Sequence, residues 1–416
     1  MRDYLKHYRV KICVLSPVYI GSGEKIGKKE HIYMPWNHHV IIPNVEKMYM
    51  DLQKKGLGKE FADYMMDGRP KEPSLSQWLG QHKMQREDYE RWKLYEMDAG
   101  EAFVSQTARP KEIEAFVKDA YGMPYVPGST LKGMFRTALI ADEIQKCPEK
   151  YERTGREIQS ASAERASRKQ CLARETKRLE QQIFYTLNRD EKKPANAVND
   201  NLSGLHVGDS QPISVDQLTL SQKIDVTLDG TEKPLNVLRE TLIPGTEICF
   251  DVSIDTTICP YQMEDIIEAL NIFQNICNRY FYARFHWEAK EKNTVWLGGG
   301  CGFLSKTVLY PLLGSNAVKV VDNVFKNTLE KIMLCINIPK TCSLNWHRMS
   351  VNVQSIRESC IIWGWGGLNL RKYNDFAPIG LKSGFENVIH QFDIEISLIC
   401  GFAPQMGDKS LVFWEV

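Results

Sequence analysis

Residues 8–14 alternate, with Tyr8, Val10, Ile12 and Val14 apolar and Arg9, Lys11 and Cys13 between them. A repeat of two marks a strand with one buried face, so the chain opens on a half-buried β-strand. It passes into Ser16-Pro17-Val18-Tyr19-Ile20-Gly21-Ser22-Gly23, a glycine–serine loop. Apolar residues at 31–34 and 40–42 flank Pro35-Trp36-Asn37-His38-His39 and predict a hairpin. A helix follows from Asn44, a good N-cap, with Val45, Met48 and Leu52 on one side. From about Gly56 to Ala120 the chain is polar and helix-leaning, and it reads as an insertion.

Leu131, Phe135, Ala138 and Leu139 then set a helical stripe. Helix continues from Glu143 to Leu187, broken early by Pro148, with Leu172, Leu179, Ile183 and Leu187 as a thin apolar line. Residues 190–203 are linker-like, and Leu205-His206-Val207 reads as a short strand before Asp209, a turn-capping residue.

The second half begins again. Ile248, Phe250, Val252 and Ile254 alternate along a strand, and Met263, Ile266, Ile267, Leu270, Phe273 and Cys277 fall at helical spacing. A glycine loop at 297–306 and a closing strand through Phe392, Ile394, Ile396 and Leu398 complete the series. Strand, helix, glycine loop and closing strand in each half predict an α+β fold of two divergent copies. The expected division is 1–238, carrying helical insertions at about 56–120 and 143–190, and 239–416. A ferredoxin-like split β-α-β unit fits this order.

The formal charge of +1 and pI near 7.5 argue against a free-standing, salt-driven nucleic-acid binder. Any anion site must be local or shared with partner subunits. The start of the chain lacks the apolar core of a signal peptide, and no run is long enough to span a bilayer. Eleven scattered Cys without a C-x-x-C pair suit reduced thiols in a cytoplasm better than disulfides or structural zinc.

The stretch YVPGSTLKGMFRTAL (125–139) holds the densest chemistry. Pro127-Gly128 makes a turn, Ser129 is the expected N-cap, and Lys132 and Arg136 share one flank of the helix. Gly133 costs about 1 kcal/mol against Ala inside a helix, so a close neighbour is expected there: a strand, a ligand or another backbone. Helix-start N–H groups with a Lys beside them suit phosphate. The alternative is a helix packed tightly on its sheet with two solvated cations.

PGSTLKG followed by a helix bearing Arg136 resembles the P-G-S-S-L-K-G signature of the RAMP superfamily of CRISPR–Cas effector complexes. The opening strand and its loop through Gly23 look like that superfamily's first strand and loop. With GGGCGFLSKT and PIGLKSG in the second half, the order is most similar to the family of type III-A Csm complex subunit five. The resemblance implies two RAMP modules of RNA-recognition-like fold. It also implies a non-catalytic role in the cytoplasm near the 3′ end of the CRISPR RNA (crRNA), capping the row of backbone subunits. Support for crRNA maturation through recruited trimming nucleases, and for antiviral defence, comes with it. Carried over by motif position, the RNA-facing residues are Ser16, Gly21, Ser22, Gly23, Ser129, Lys132, Gly133 and Arg136. In the second half they are Gly298, Gly299, Gly300, Gly302, Lys306 and Lys382. No cofactor or metal is implied.

Other patterns carry less. Residues 300–307 fall one residue short of a phosphate-binding P-loop, with Ser305 where glycine is required and Pro311 too close for a long helix. His31, His38 and His39 surround the hairpin, where packing is a commoner use than metal binding. Tyr280, Phe281, Tyr282, Phe285 and Trp287 among Arg279, Arg284 and Lys290 could stack bases, although core filling is the commoner outcome. Ten Lys and Arg against six Glu in 144–182 read as a solvated helical face or as a basic arm on RNA. A metal-independent endoribonuclease is the alternative function, and it would need a His placed as general base by a motif the chain does not display. A protein-recruiting platform on 56–120 or on the helical arm could coexist with RNA binding.

Overall fold

A computed structural model of the protein describes residues 4–69, 73–100, 102–103, 112–163, 172–226, 232–285, 292–299 and 308–328, with the strands 346–350 and 393–398. The strands of the first half are β1 (Leu5–Val14), β2 (Gly21–Ile26), β3 (Ile32–Met34), β4 (His39–Pro43), β5 (Lys93–Asp98), β6 (Glu112–Phe116) and β7 (Leu205–Val207). Those that follow are β8 (Leu218–Val226), β9 (Glu232–Leu242), β10 (Glu247–Asp255), β11 (Thr294–Val295), β12 (Trp346–Ser350) and β13 (Asp393–Leu398). The helices are α1 (Val45–Lys54), α2 (Gly58–Met66), α3 (Leu75–Gln81), α4 (Arg86–Trp92), α5 (Gly128–Lys146) and α6 (Pro148–Ala163). Then come α7 (Ala173–Phe184), α8 (Met263–Tyr280), α9 (Leu309–Leu313) and α10 (Ala317–Thr328).

The expected alternation is realised in β1 and β10, which pair antiparallel from Leu5↔Asp255 to Cys13↔Glu247. Val10, Ile12 and Val14 face the core with Ile248, Phe250, Val252 and Ile254. The opposite face carries ion pairs, Lys11–Glu247 at 2.6 Å and Arg9–Asp251 at 3.5 Å, exposed enough to add little stability. β13 joins β1 in parallel, and the full order is β11-β13-β1-β10-β7. One hydrophobic core joins this sheet to the stripes of α5 and α8, among them Leu131, Phe135, Ile266 and Phe273.

The second sheet runs β2-β6-β9-β8-β5-β4-β3, with β12 against β8. Beside the β3–β4 hairpin, α1 to α4 close a smaller core around Met48, Phe61, Trp78 and Trp92. Asn44 caps α1 as expected, its side chain accepting from the Lys47 N–H at 2.9 Å. Pro148 starts α6 where the break was expected.

Two expectations change. The stretch 56–120 is helical only as far as Trp92, and β5 and β6 then enter the second sheet. The boundary at 238/239 falls inside β9, and strands from both sides of it share the first sheet. No helix among the described residues is long and apolar enough to cross a membrane.

Candidate nucleic-acid interface

The loop leaving β1 crosses from one sheet to the other. Val18 pairs with Leu242 through main-chain bonds of 3.3 and 2.8 Å, and Tyr19 and Ile20 are buried behind it. β2 then begins at Gly21-Ser22-Gly23, all three exposed and on the edge of the second sheet. Gly23 has φ +86° and open space where a side chain would stand, a geometry that favours glycine. Ser22 Oγ donates to the Ala115 carbonyl at 3.2 Å, and Ser16 is half-buried.

The second-half turn meets this loop. The Gly299 N–H donates to the Tyr19 carbonyl at 2.8 Å. A Cβ on Gly298, at φ +80°, would stand 2.2 Å from that same carbonyl oxygen. These two glycines therefore admit the chain's own backbone. Gly300, Gly302, Lys306 and Lys382 lie outside the described residues.

The signature helix departs from expectation at its first turn. Its cap is Pro127, without a side-chain bond, so Ser129 lies inside α5 rather than at its cap. The first N–H, that of Gly128, donates to Asp209 Oδ1 at 2.8 Å. Asp209 thus caps a helix 81 residues away in sequence and places a carboxylate where a phosphate was expected. The crowded glycine is also Gly128: its Cβ would meet the carbonyl oxygens of Val207 at 2.3 Å and Gly208 at 2.4 Å. Gly133 is exposed, with nothing within 4 Å, so no strand or backbone of the described chain approaches it.

Both cations of the signature have intramolecular partners. Lys132 Nζ donates to the Leu205 carbonyl at 2.7 Å, and burial, with Arg136 beside it, holds its ammonium below the ordinary lysine pKa. Arg136 pairs with Glu180 at 2.5 Å and with Asp200, over the ring of Phe184 at 4.8 Å. The linker-like 190–203 segment is therefore an anchor, with Asp200 as the partner of Arg136.

The three motif segments nevertheless share one main-chain network. Tyr19 holds Gly299; Ile20 accepts from the Val117 N–H at 2.8 Å; Val117 accepts from Tyr125 at 3.4 Å. The Val126 carbonyl accepts from Ser210 at 2.9 Å, next to the Asp209 that caps α5. The sequence reading missed a second feature, a buried charged cluster on β8 and β9. Arg239, Glu240 and Thr241 are consecutive, all at 0% exposure, and Lys223 is at 3%. Adjacent charges at 239 and 240 were the available signal, but they argue against a buried strand on any polarity pattern.

Among the described residues, the remaining patterns resolve as packing or exposed ion pairs; Trp287, Lys290, the side chains of Arg284 and Phe285, and residues 300–307 lie outside them. Phe281 and Tyr282 are 3% exposed, Tyr282 stacking on Trp296 at 5.1 Å. His31 Nδ1 lies 2.9 Å from the Gly27 carbonyl, and burial lowers its pKa. His38 lies between the Tyr33 hydroxyl and the Gly100 carbonyl, and His39 Nδ1 is 2.9 Å from the Asn37 carbonyl. Charges on α6 and α7 form exposed pairs such as Arg153–Glu157 and Arg178–Glu157. Pro311 lies within α9, which is only five residues long.

Comparison with known proteins agrees with the motifs. The model of the RAMP superfamily matches residues 11–305. The CRISPR system protein Csm5 of Mycobacterium tuberculosis is 28% identical over 395 residues, covering 89% of this chain and all of that protein. Csm5 of Streptococcus thermophilus is 25% identical, covering 74% of this chain and 82% of its own. Among solved structures, the T. onnurineus Csm5 crystal structure aligns with TM-score 0.50 and 17% identity, covering 68% of this chain and 82% of that one. A chain of a type III-A Csm–crRNA–target RNA ternary complex aligns with TM-score 0.52 and 17% identity, covering 82% of this chain and 96% of that one.

Proposed function

Because this chain belongs to the RAMP superfamily, we propose that it is a non-catalytic, crRNA-binding subunit of a type III-A CRISPR effector complex. It caps the backbone filament near the crRNA 3′ end, beside a neighbouring backbone subunit. There it supports crRNA maturation, with trimming nucleases as recruited partners, and serves antiviral defence in the cytoplasm. We read the chain as two divergent ferredoxin-like RAMP modules that share the sheet of β1 and β10. The similarity to Csm5 proteins and to a chain of a crRNA-containing complex supports this assignment.

One observation carries the RNA-binding part. The motif segments 16–23, 125–136 and 298–299 are hydrogen-bonded into one network, and Gly21, Ser22, Gly23, Ser129 and Gly133 within them are exposed. Small residues on an exposed backbone let a sugar–phosphate strand approach the main chain closely. Lys132 and Arg136 serve this surface indirectly, by fixing α5 to its neighbours. Gly300, Gly302, Lys306 and Lys382 are carried into the proposal from their sequence motifs alone. Binding is expected to tolerate sequence and to weaken steeply with salt.

Gly133→Glu tests this directly, because Gly133 is exposed and a Cβ there would meet nothing of the described chain within 4 Å. In the reconstituted complex, crRNA retention should fall about tenfold, the equivalent of one lost contact of about 1.4 kcal/mol. The variant's melting temperature should not drop. Unchanged crRNA retention would remove Gly133 from the interface.

A further inference from the structure

Among the described residues, three largely buried cations on the second sheet and the segment after β6 stand with two carboxylates, Glu240 and Glu114. Lys118 belongs to Glu240, which also accepts from the Tyr95 hydroxyl at 2.6 Å and the Phe116 N–H at 2.8 Å. Arg239 gives its Nε to Glu114 at 2.6 Å. Both of its terminal nitrogens are buried with no hydrogen-bond partner among the described residues. Lys223 is 3% exposed, and burial, then the nearby Arg239, pushes its pKa down to about 8.

Register brings Glu114, Arg239 and Ser221 to facing positions on one side of the sheet, while Glu240, next to Arg239 along β9, serves Lys118 on the other. Glu114 lies opposite Arg239 across β6 and β9, and Arg239 lies opposite Ser221 across β9 and β8. Lys223 follows two residues after Ser221, within an irregularity of the β8–β9 pairing. Leaving a guanidinium edge unpaired in the interior is costly, and the cluster lacks one negative charge. Two parallel N–H donors with an ammonium nearby suit an oxyanion with three or more acceptor oxygens better than a carboxylate.

We infer that a phosphate group completes this cluster, held by the guanidinium edge of Arg239 and the ammonium of Lys223 behind the ring of Tyr19. That ring lies 4.6 Å from the guanidinium carbon. Its hydroxyl would be 2.6 Å from a Cβ on Gly21, so only glycine leaves the ring its place beneath the exposed Gly21–Gly23 turn. Rotation of Tyr19 opens the cluster toward that turn. The phosphate is either a phosphodiester of RNA lying on the turn or a free phosphate ion. Only the first source rests on the proposed RNA-binding role.

The test uses the full chain with two probes, inorganic phosphate and a single-stranded RNA, on wild type and Lys223→Met. Removing a buried cation should not unfold the protein. Arg239→Gln combined with Glu114→Gln removes the guanidinium without stranding its carboxylate. In wild type, phosphate should raise the melting temperature in a saturable way, and both variants should lose that shift. If the phosphate comes from RNA, each variant should also bind RNA about tenfold more weakly, with the salt slope reduced by about 0.7. A phosphate shift without an RNA effect assigns the site to the free ion. If wild type binds no RNA, the proposed function fails, while the phosphate arm still tests the cluster. No phosphate shift and unaltered RNA binding in the variants would overturn the inference.

Discussion

Two arginines, Arg136 largely buried and Arg239 wholly so, are treated differently by this fold. Arg136, in the signature helix, has a carboxylate on each side and an aromatic ring beneath it. Arg239, in a strand no motif flags, has one carboxylate, one ring and two bare nitrogens. The residue that stands out in the sequence is electrically finished, and the unremarked one is not. A prominent cation therefore marks what holds the motif in place, while an incomplete one marks where charge is still wanted.

The largest test of this contrast is Arg136→Ala. It leaves Glu180 and Asp200 facing each other largely buried, and stability to denaturant should fall by about 3 kcal/mol. A loss below about 1 kcal/mol would mean that the knot is not structural. Gly128→Ala comes next, because its Cβ would overlap two carbonyl oxygens; a loss of about 2 kcal/mol is expected from calorimetry or denaturation.

Lys223→Met probes the unfinished cluster. The ordinary lysine value is 10.5 and the folded value about 8, so between them the unfolded chain holds a proton that the folded chain lacks. Wild-type stability should therefore rise with pH across that window relative to the variant, and equal slopes would refute the assignment. Gly133→Ala is the mildest change, a gain of about 1 kcal/mol from helix propensity at an open site. A loss there would mean that something crowds Gly133 after all.

The elements legible in the sequence were those whose buried positions are apolar. The β3–β4 hairpin and the Asn44 cap were marked by their apolar runs and a local side chain, and β1, β10 and the stripe of α8 follow the period of their elements closely. β8 and β9 did not, because Thr219, Ser221, Lys223, Arg239, Glu240 and Thr241 are buried polar groups that erase the alternation. Ser221 and Thr241 satisfy each other at 2.7 Å, a cross-strand partnership that no local window contains. The helix start was misread for a related reason. Ser129 is a good local cap, but Asp209 reaches the same N–H group from elsewhere in the fold. The crowding expected at Gly133 belongs instead to Gly128, whose neighbours come from β7 and the loop after it.

The place of β1 in its sheet has a consequence for biosynthesis. It leaves the ribosome before both of its neighbours, β10 and β13, and its His7–Ser253 contact spans 246 residues. At ordinary translation speeds that partner emerges on the order of tens of seconds later, and β13 later still. Until then both edges of an alternating strand are open to other nascent chains. Arg9 and Lys11, whose ion pairs contribute little to the finished molecule, put on that waiting strand the kind of charge that disfavours edge-to-edge pairing.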